Sequence, residues 1–386
     1  MPYQVTFEML PVGYAASAKK RDAETADVST RGFLSSEDGD LFITLLEGFP
    51  NHCLALLPKR VPPSTVDHML AIVRADKTAT VYVNEIQMRV KVQVKRSLKA
   101  GEAVFKDDIA DVERLGLPGI KVPADAGVVF FFSVGWRRGL FYDLLPVLPK
   151  DGVPRDYDLE VRLGQLYQYL EFQEVYKITE PEWRVLVGKG WFPFVALKAS
   201  TVKEMIAHVR NDWDVDDLLS KIAEEVRRLL ATLRERWSTN RFFSPHYDVL
   251  RSGLDRYEAG DYVSAISVLT PKVEGILRGF GLATGTKSLK AQQLTSSAVR
   301  RLQQDNPDSL LFPRRFRKYV DSLHFGSFNA ETPEGASRHT VAHGVAPPQA
   351  FTEKQASIII LVLDQFAFFL GRQANSDSDN QVRADG

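Results

Sequence analysis

A multidomain chain, with an α+β and mostly β domain in front and an all-α helical bundle behind, follows from three features of the sequence. Its 386 residues suffice for two or three domains, each with an apolar core. Between about 81 and 94, apolar and polar residues alternate, the period of half-buried strands. From about 214 onward, apolar residues recur at three- and four-residue spacing, the period of amphipathic helices.

Residues 1–150 carry the strand signals. Val81 and Val83 alternate in one phase; Ile86, Met88, Val90, Val92 and Val94 alternate in the other. A change of phase turns every side chain to the opposite face, so Asn84-Glu85 is expected to be a turn or bulge. The glycine of LKAGEAV predicts a second turn, and the unbroken apolar run GVVFFFSV predicts a strand covered on both faces. Residues 151–240 read as a helical connector region. Its long helix carries Val215, Leu218, Leu219, Ile222, Val226, Leu229, Leu230, Leu233 and Trp237 on one side. Asp214 is placed to cap this helix, Asp216 and Asp217 complement its dipole, and Arg227-Arg228 lie on the solvated side.

Residues 241–372 read as a compact bundle. Helices are expected near 245–258, over AGDYVSAISVLTPKVEGILRGFG, near 288–303, near 308–325 and from FTEKQ onward. The second of these should bend at Pro271 and stop at Gly279 to Gly281. The last is opened by a capping box of Thr352 and Gln355, and its buried stripe is Ala356, Ile359, Ile360, Leu363, Ala367 and Leu370. The tail 373–386 has no apolar period and is expected to be disordered. No internal repeat is visible.

Composition narrows the function classes. There are 49 Lys and Arg against 49 Asp and Glu, which excludes a uniformly basic coat for nucleic acid. The balance is uneven, however: residues 241–372 hold 16 basic and 12 acidic side chains. One cysteine, Cys53, permits neither an internal disulfide nor a cysteine zinc site. The opening segment lacks the apolar core of a signal peptide, and the apolar stretch ASIIILVLDQFAFFLG carries Asp364 and Gln365 in its middle. A cytoplasmic protein with no membrane span is therefore expected, that stretch being a core helix.

The chemistry concentrates in ASRHTVAHGVAPP. Ser337 can cap a short helix that Gly344 and Pro347-Pro348 stop, and Gly335 precedes the cap. His339 and His343 are four apart and share a face. Arg338 and His343 are five apart, about 140° round an ideal helix, so they converge only near a relaxed helix end or with help from a second copy of the chain. Histidine exchanges protons near neutral pH, and arginine offers a fixed fork of donors to phosphate oxygens. The pair suits metal-free cleavage of a phosphodiester. The imidazole would take the proton of a ribose 2′-hydroxyl or protonate the leaving 5′-oxygen, so the substrate would be RNA.

Arginine, a polar residue, three further residues and histidine, here RHTVAH, resembles the motif of HEPN domains, particularly those of bacterial abortive-infection and ApeA-like proteins. GDYVSAISVLTPKVEGILRGFG resembles the second helix of such domains, with Glu274 at a recurrent acidic position. The resemblance covers about 130 residues. It implies a bundle of four or five helices that dimerises, and in many relatives a metal-independent endoribonuclease of toxin–antitoxin or antiphage systems; other relatives have lost activity. Carried over, it makes Arg338, His343 and His339 catalytic, with no metal and no cofactor. Some relatives have asparagine before the arginine, where this chain has Ser337.

Other readings stay open beside these. His339 and His343 have the spacing of a zinc pair, with His324 as a distant third ligand, but the glutamate that a zinc protease places after the first histidine is absent. His324 also reads as a core histidine. Arg314, Arg315, Arg317 and Lys318 form either a solvated helix face or an RNA-binding patch. Glu274 is expected to pair with an arginine, Arg338 above all, as a structural bridge or as an orienting group together with Ser337. SVGWRRGLFYDLLP mixes aromatics with charge. It reads as a joint between the halves, a pocket or a docking edge, and it resembles a segment in the front half of some HEPN-containing proteins. The expected partners are an RNA substrate, a second copy of the chain through the bundle, and a trigger acting on a regulatory or sensor N-terminal domain. The alternative is an inactive HEPN bundle that dimerises or binds a nucleotide or protein.

Overall fold

The computed structural model describes residues 2–18, 25–286, 290–326 and 337–384. The chain divides into two units, Met1–Val92 with Val112–Gln173, and Gln93–Asp111 with Glu174–Gly386. The first unit is mostly β and the second helical, as the apolar periods indicate. The boundaries differ from those expected at 150 and 240. Periodicity locates a helix but does not say which core receives its apolar face.

In chain order the first unit contains β1 (Tyr3–Thr6), β2 (Tyr14–Ala18), β3 (Ala26–Ser29), β4 (Arg31–Ser35), α1 (Asp40–Glu47), α2 (Phe49–Ala55), β5 (Met69–Val73) and β6 (Thr78–Val83). There follow β7 (Arg89–Val94) and β8 (Ile109–Gly116), of which residues 93–94 and 109–111 belong to the second unit, and then β9 (Gly127–Val134), β10 (Arg137–Asp143) and α3 (Leu159–Glu171). Six strands form an antiparallel sheet in the order β1-β6-β5-β9-β10-β4, while β2 pairs with β3 and β7 with β8. The apolar run GVVFFFSV is β9, inside the sheet, with Phe131 opposite Met69 on one side and Leu140 on the other.

Period-two geometry explains why that run is apolar throughout. Val129 and Phe131 join a core with Phe42, Phe49, Cys53 and Leu54 of α1 and α2. Val128, Phe130, Phe132 and Val134 join a second core with Leu163, Leu166 and Leu170 of α3. The helix after 158 therefore covers this sheet and is not part of a connector. The expected turn is found at Asn84, which has φ 55° and whose side chain accepts from the N–H of Asp67 at 2.8 Å and of His68 at 3.1 Å.

The mixed segment SVGWRRGLFYDLLP is the β9–β10 hairpin and its exit. Trp136 is exposed at the tip with the Arg137 guanidinium 4.6 Å above its ring. Asp143 is fully buried and bonds Tyr157 at 2.7 Å, Arg31 at 3.1 Å and Arg155 at 3.5 Å. Much of its charge thus has a structural reason inside the first unit.

The second unit contains α4 (Gln173–Tyr176), α5 (Glu180–Gly188), α6 (Ala199–Arg210), α7 (Leu219–Thr239), α8 (Tyr247–Glu258) and α9 (Tyr262–Ala283), α4 beginning at the boundary residue. It continues with α10 (Ala291–Asp305), α11 (Pro313–Leu323), α12 (Arg338–Ala342) and α13 (Glu353–Ala384). Asp214 caps the turn before α7 by accepting from the N–H of Asp216 at 3.1 Å. The apolar stripe of α7, Ile222, Val226, Leu230, Leu233 and Trp237, is buried in the same core as Ile359, Leu363 and Leu370 of α13. So α7 is a wall of the bundle, not a connector.

Within α13, Asp364 and Gln365 are fully buried. Asp364 accepts from Arg236 at 2.6 Å and Trp237 at 3.2 Å; Gln365 accepts from the Val195 N–H at 2.9 Å and donates to the Leu311 carbonyl at 3.0 Å. Among the described residues one helix, Glu353–Gly371, is long and apolar enough to cross a membrane, and 83% of it is buried in the protein. Two expectations differ. Pro271 lies inside α9, but the helix runs past Gly279 to Gly281 and stops at Thr284 and Gly285, the latter at φ 70°. A Cβ on Gly281 would lie 2.8 Å from Leu294, so that glycine admits α10 instead of ending α9. The backbone of α13 continues as helix to Ala384, through the segment expected to be disordered, because extending an existing helix costs far less than starting one. Residues 288, 289, 335, 385 and 386, on which other expectations fell, lie outside the described residues.

Candidate active site

Helix α12 has the length and both caps that its sequence predicts. The Ser337 hydroxyl accepts from the Thr340 N–H at 3.2 Å. At the other end His343 is the last near-helical residue, and Gly344 follows at φ 69°. The Gly344 N–H bonds the Val341 carbonyl at 3.1 Å, and the Val345 N–H bonds the Thr340 carbonyl at 2.9 Å. This paired closure is the Schellman arrangement, which a left-handed glycine makes possible. Thr340 is buried and fixes the helix to the core, while the Arg338 N–H bonds the carbonyl of His324 just after α11 at 3.0 Å.

Three side chains meet on this short helix. Arg338 Nη1 lies 3.3 Å from His339 Nδ1; a guanidinium only donates, so that nitrogen is the acceptor and Nε2 carries the proton in neutral His339. The His339 and His343 rings stack with centroids 6.4 Å apart and 6° between planes. The 140° separation of Arg338 and His343 is thus bridged by His339 within one chain. His343 is exposed and His339 half-buried. Burial, then the neighbouring Arg338 charge, holds the His339 imidazole below its ordinary pKa, with Glu274 opposing.

Glu274 on α9 is the partner expected for Arg338. Its Oε2 pairs with Arg338 Nε, and its Oε1 accepts from Arg278 Nε at 2.8 Å. Its side chain is 8% exposed, against 26% for Arg338 and 43% for Arg278. Arg278 was absent from the sequence expectations, although its position four residues after Glu274 on one helix is a readable signal for such a pair. Beneath them, His324 is buried in the core and its Nε2 has no hydrogen-bond partner. Burial first, then Arg338 and His339, lowers its pKa to about 3, so it is a neutral core histidine. Among the described residues no three His, Cys, Asp or Glu side chains form a metal-binding group.

Two arginines of the basic stretch of α11 are paired with carboxylates. Arg315 forks onto Glu180, with Nη1 to Oε2 at 2.8 Å, and its guanidinium lies 5.1 Å from the Trp183 ring centre. Arg317 pairs with Asp321 at 3.5 Å. Arg314 and Lys318 are exposed. Arg314 is ten residues before His324, about 15 Å along a helix. No family model matches the chain, and neither the curated proteins nor the solved structures give a match.

Proposed function

We propose that the second unit is a HEPN-type endoribonuclease that cleaves RNA without a metal or other cofactor. The observation that carries this reading is the linked set of Arg338, His339 and exposed His343 at the capped end of α12, with Arg338 held by Glu274. Arg338 would hold the scissile phosphate with its spare donors. His343 would take the 2′-hydroxyl proton or deliver one to the leaving 5′-oxygen, and His339, kept neutral by its surroundings, would position both. The 2′-oxygen attacks phosphorus and the bond to the 5′-oxygen breaks, leaving a 2′,3′-cyclic phosphate and a 5′-hydroxyl. In a dimer formed through the bundle, a second copy would supply the opposite proton transfer. The resemblance further suggests a cytoplasmic antiphage role in abortive infection, with the first unit as sensor or regulator.

Cleavage of total RNA by the purified chain in EDTA, with cyclic phosphate ends, is the expected result. His343→Ala should abolish it; an unaltered rate in that variant rejects the assignment. One observation favours a second reading, an inactive HEPN bundle that dimerises or binds a nucleotide or protein: Glu274 already neutralises part of the Arg338 charge. RNA bound but never cut, by the wild-type chain, selects it.

A further inference from the structure

Glu274 is a single carboxylate shared by two guanidinium groups, one from α9 itself and one from α12. The charges do not cancel: two cations and one anion leave one positive charge. The donors do not cancel either. Arg338 Nη2 and Arg278 Nη1 have no hydrogen-bond partner among the described residues. Glu274 is nearly buried while Arg278 is the most exposed of the three, so the spare charge and the spare N–H groups lie toward solvent. Burying a carboxylate is unfavourable unless it is paired, and here the pairing fixes two side chains that would otherwise be flexible. What results is a preorganised pair of cations beside His339 and His343, and planar guanidinium forks match phosphate oxygens.

We propose that Arg278 is a second phosphate-binding residue of this site. It would take the backbone phosphate next to the one held by Arg338, so that the RNA strand is gripped at two successive phosphates with Glu274 as the brace between the two arginines. The assignment rests on the ribonuclease reading above and extends it from a single phosphate to a strand. Arg278 makes no sequence-specific contact in this scheme; it sets the position of the strand and adds a salt-sensitive share of the affinity.

The test uses the full chain carrying His343→Ala, which holds RNA without cutting it, and a labelled single-stranded oligouridylate. Affinity is measured across a range of salt concentrations. Adding Arg278→Ala should weaken binding and reduce the slope of log affinity against log salt by about 0.7, the value for one single-strand phosphate contact. Arg278→Lys should restore most of the slope, which a merely structural role would not require. Arg228→Ala, on the exposed face of α7, should leave it unchanged. If Arg338→Ala reduces the slope and Arg278→Ala does not, the Arg278 assignment is overturned and the ribonuclease reading stands. If neither arginine affects binding, or if no RNA is bound, both are overturned.

Discussion

Of the two imidazoles on α12, His343 faces solvent and His339 lies between it and Arg338. Replacing an exposed side chain should be thermodynamically quiet, so His343→Ala is expected to stop cleavage while shifting the urea unfolding free energy by less than about 1 kcal/mol. Glu274→Gln should behave differently, because it leaves two partly buried guanidinium groups facing each other. A loss of about 1–3 kcal/mol is expected in the same measurement, and a change near zero would show that the triad does not hold α12 to α9. His324 gives the residue scale its pH dependence. Its pKa falls from an ordinary 6.5 to about 3 on folding, so between those values the unfolded chain binds a proton that the folded chain refuses. Stability from this group is fully present above pH 6.5 and declines as the pH falls below it, by about 1.4 kcal/mol per pH unit. The acid limb of the stability curve should therefore be shallower in His324→Gln; identical limbs in variant and wild type would refute the buried, neutral assignment.

At the scale of elements, α12 shows how a five-residue helix is held. Isolated helices of that length do not form in water, so its two caps and the buried Thr340 determine it. Gly344→Ala forces a Cβ into the left-handed region at a cost of about 1–2 kcal/mol. Because His343 is the residue just before it, kcat for RNA should fall about tenfold to a hundredfold, the order associated with a displacement of about 1 Å. An unchanged kcat would detach the cap from the proposed catalytic geometry. The glycines of α9 illustrate a different use of the same residue. Gly281 is needed for the close approach of α10 and Gly285 for the positive φ that ends the helix, and both look alike as letters. The caps of α12, the Asp214 cap, the turn at Asn84 and the capping interaction of Thr352 with the Gln355 N–H at 3.2 Å were legible because each depends on neighbouring residues.

For the whole molecule, the bundle is larger than the 241–372 segment that carries the motif. Its core includes Trp191, Phe192 and Phe194, the stripe of α7, and Ala110 from the 93–111 excursion. Asp111 accepts from the Ser309 hydroxyl at 2.7 Å and the Leu310 N–H at 3.0 Å, and half-buried Lys95 donates to the Leu197 carbonyl at 2.9 Å. A 241–372 fragment lacks Trp191, Phe192, Phe194, α7, Ala110 and Asp111, and so would expose the apolar faces and the Ser309 and Leu310 groups that they cover. It is expected to show no cooperative thermal transition by circular dichroism, whereas the intact chain should melt cooperatively; a cooperative melt of the fragment would contradict this account of the core. Asp364→Asn in the intact chain should cost about 3 kcal/mol, since it leaves the mostly buried Arg236 cation without its anion.

Local order along the chain was enough to place the strands, the long helices, their caps and the arginine–histidine segment, because periods and caps are properties of residues a few positions apart. The pairing of Glu274 with Arg338 was anticipated from the need of a buried carboxylate for a cation. Three-dimensional packing had to assign the rest. That α7 belongs to the bundle, that 93–111 joins the second unit, that His339 links Arg338 to His343, and that Arg278 shares Glu274 all depend on groups distant in sequence or on side-chain torsions that no local pattern specifies. An amphipathic face states that a partner exists; only the folded core, where each apolar surface has one place to be buried, states which partner it is.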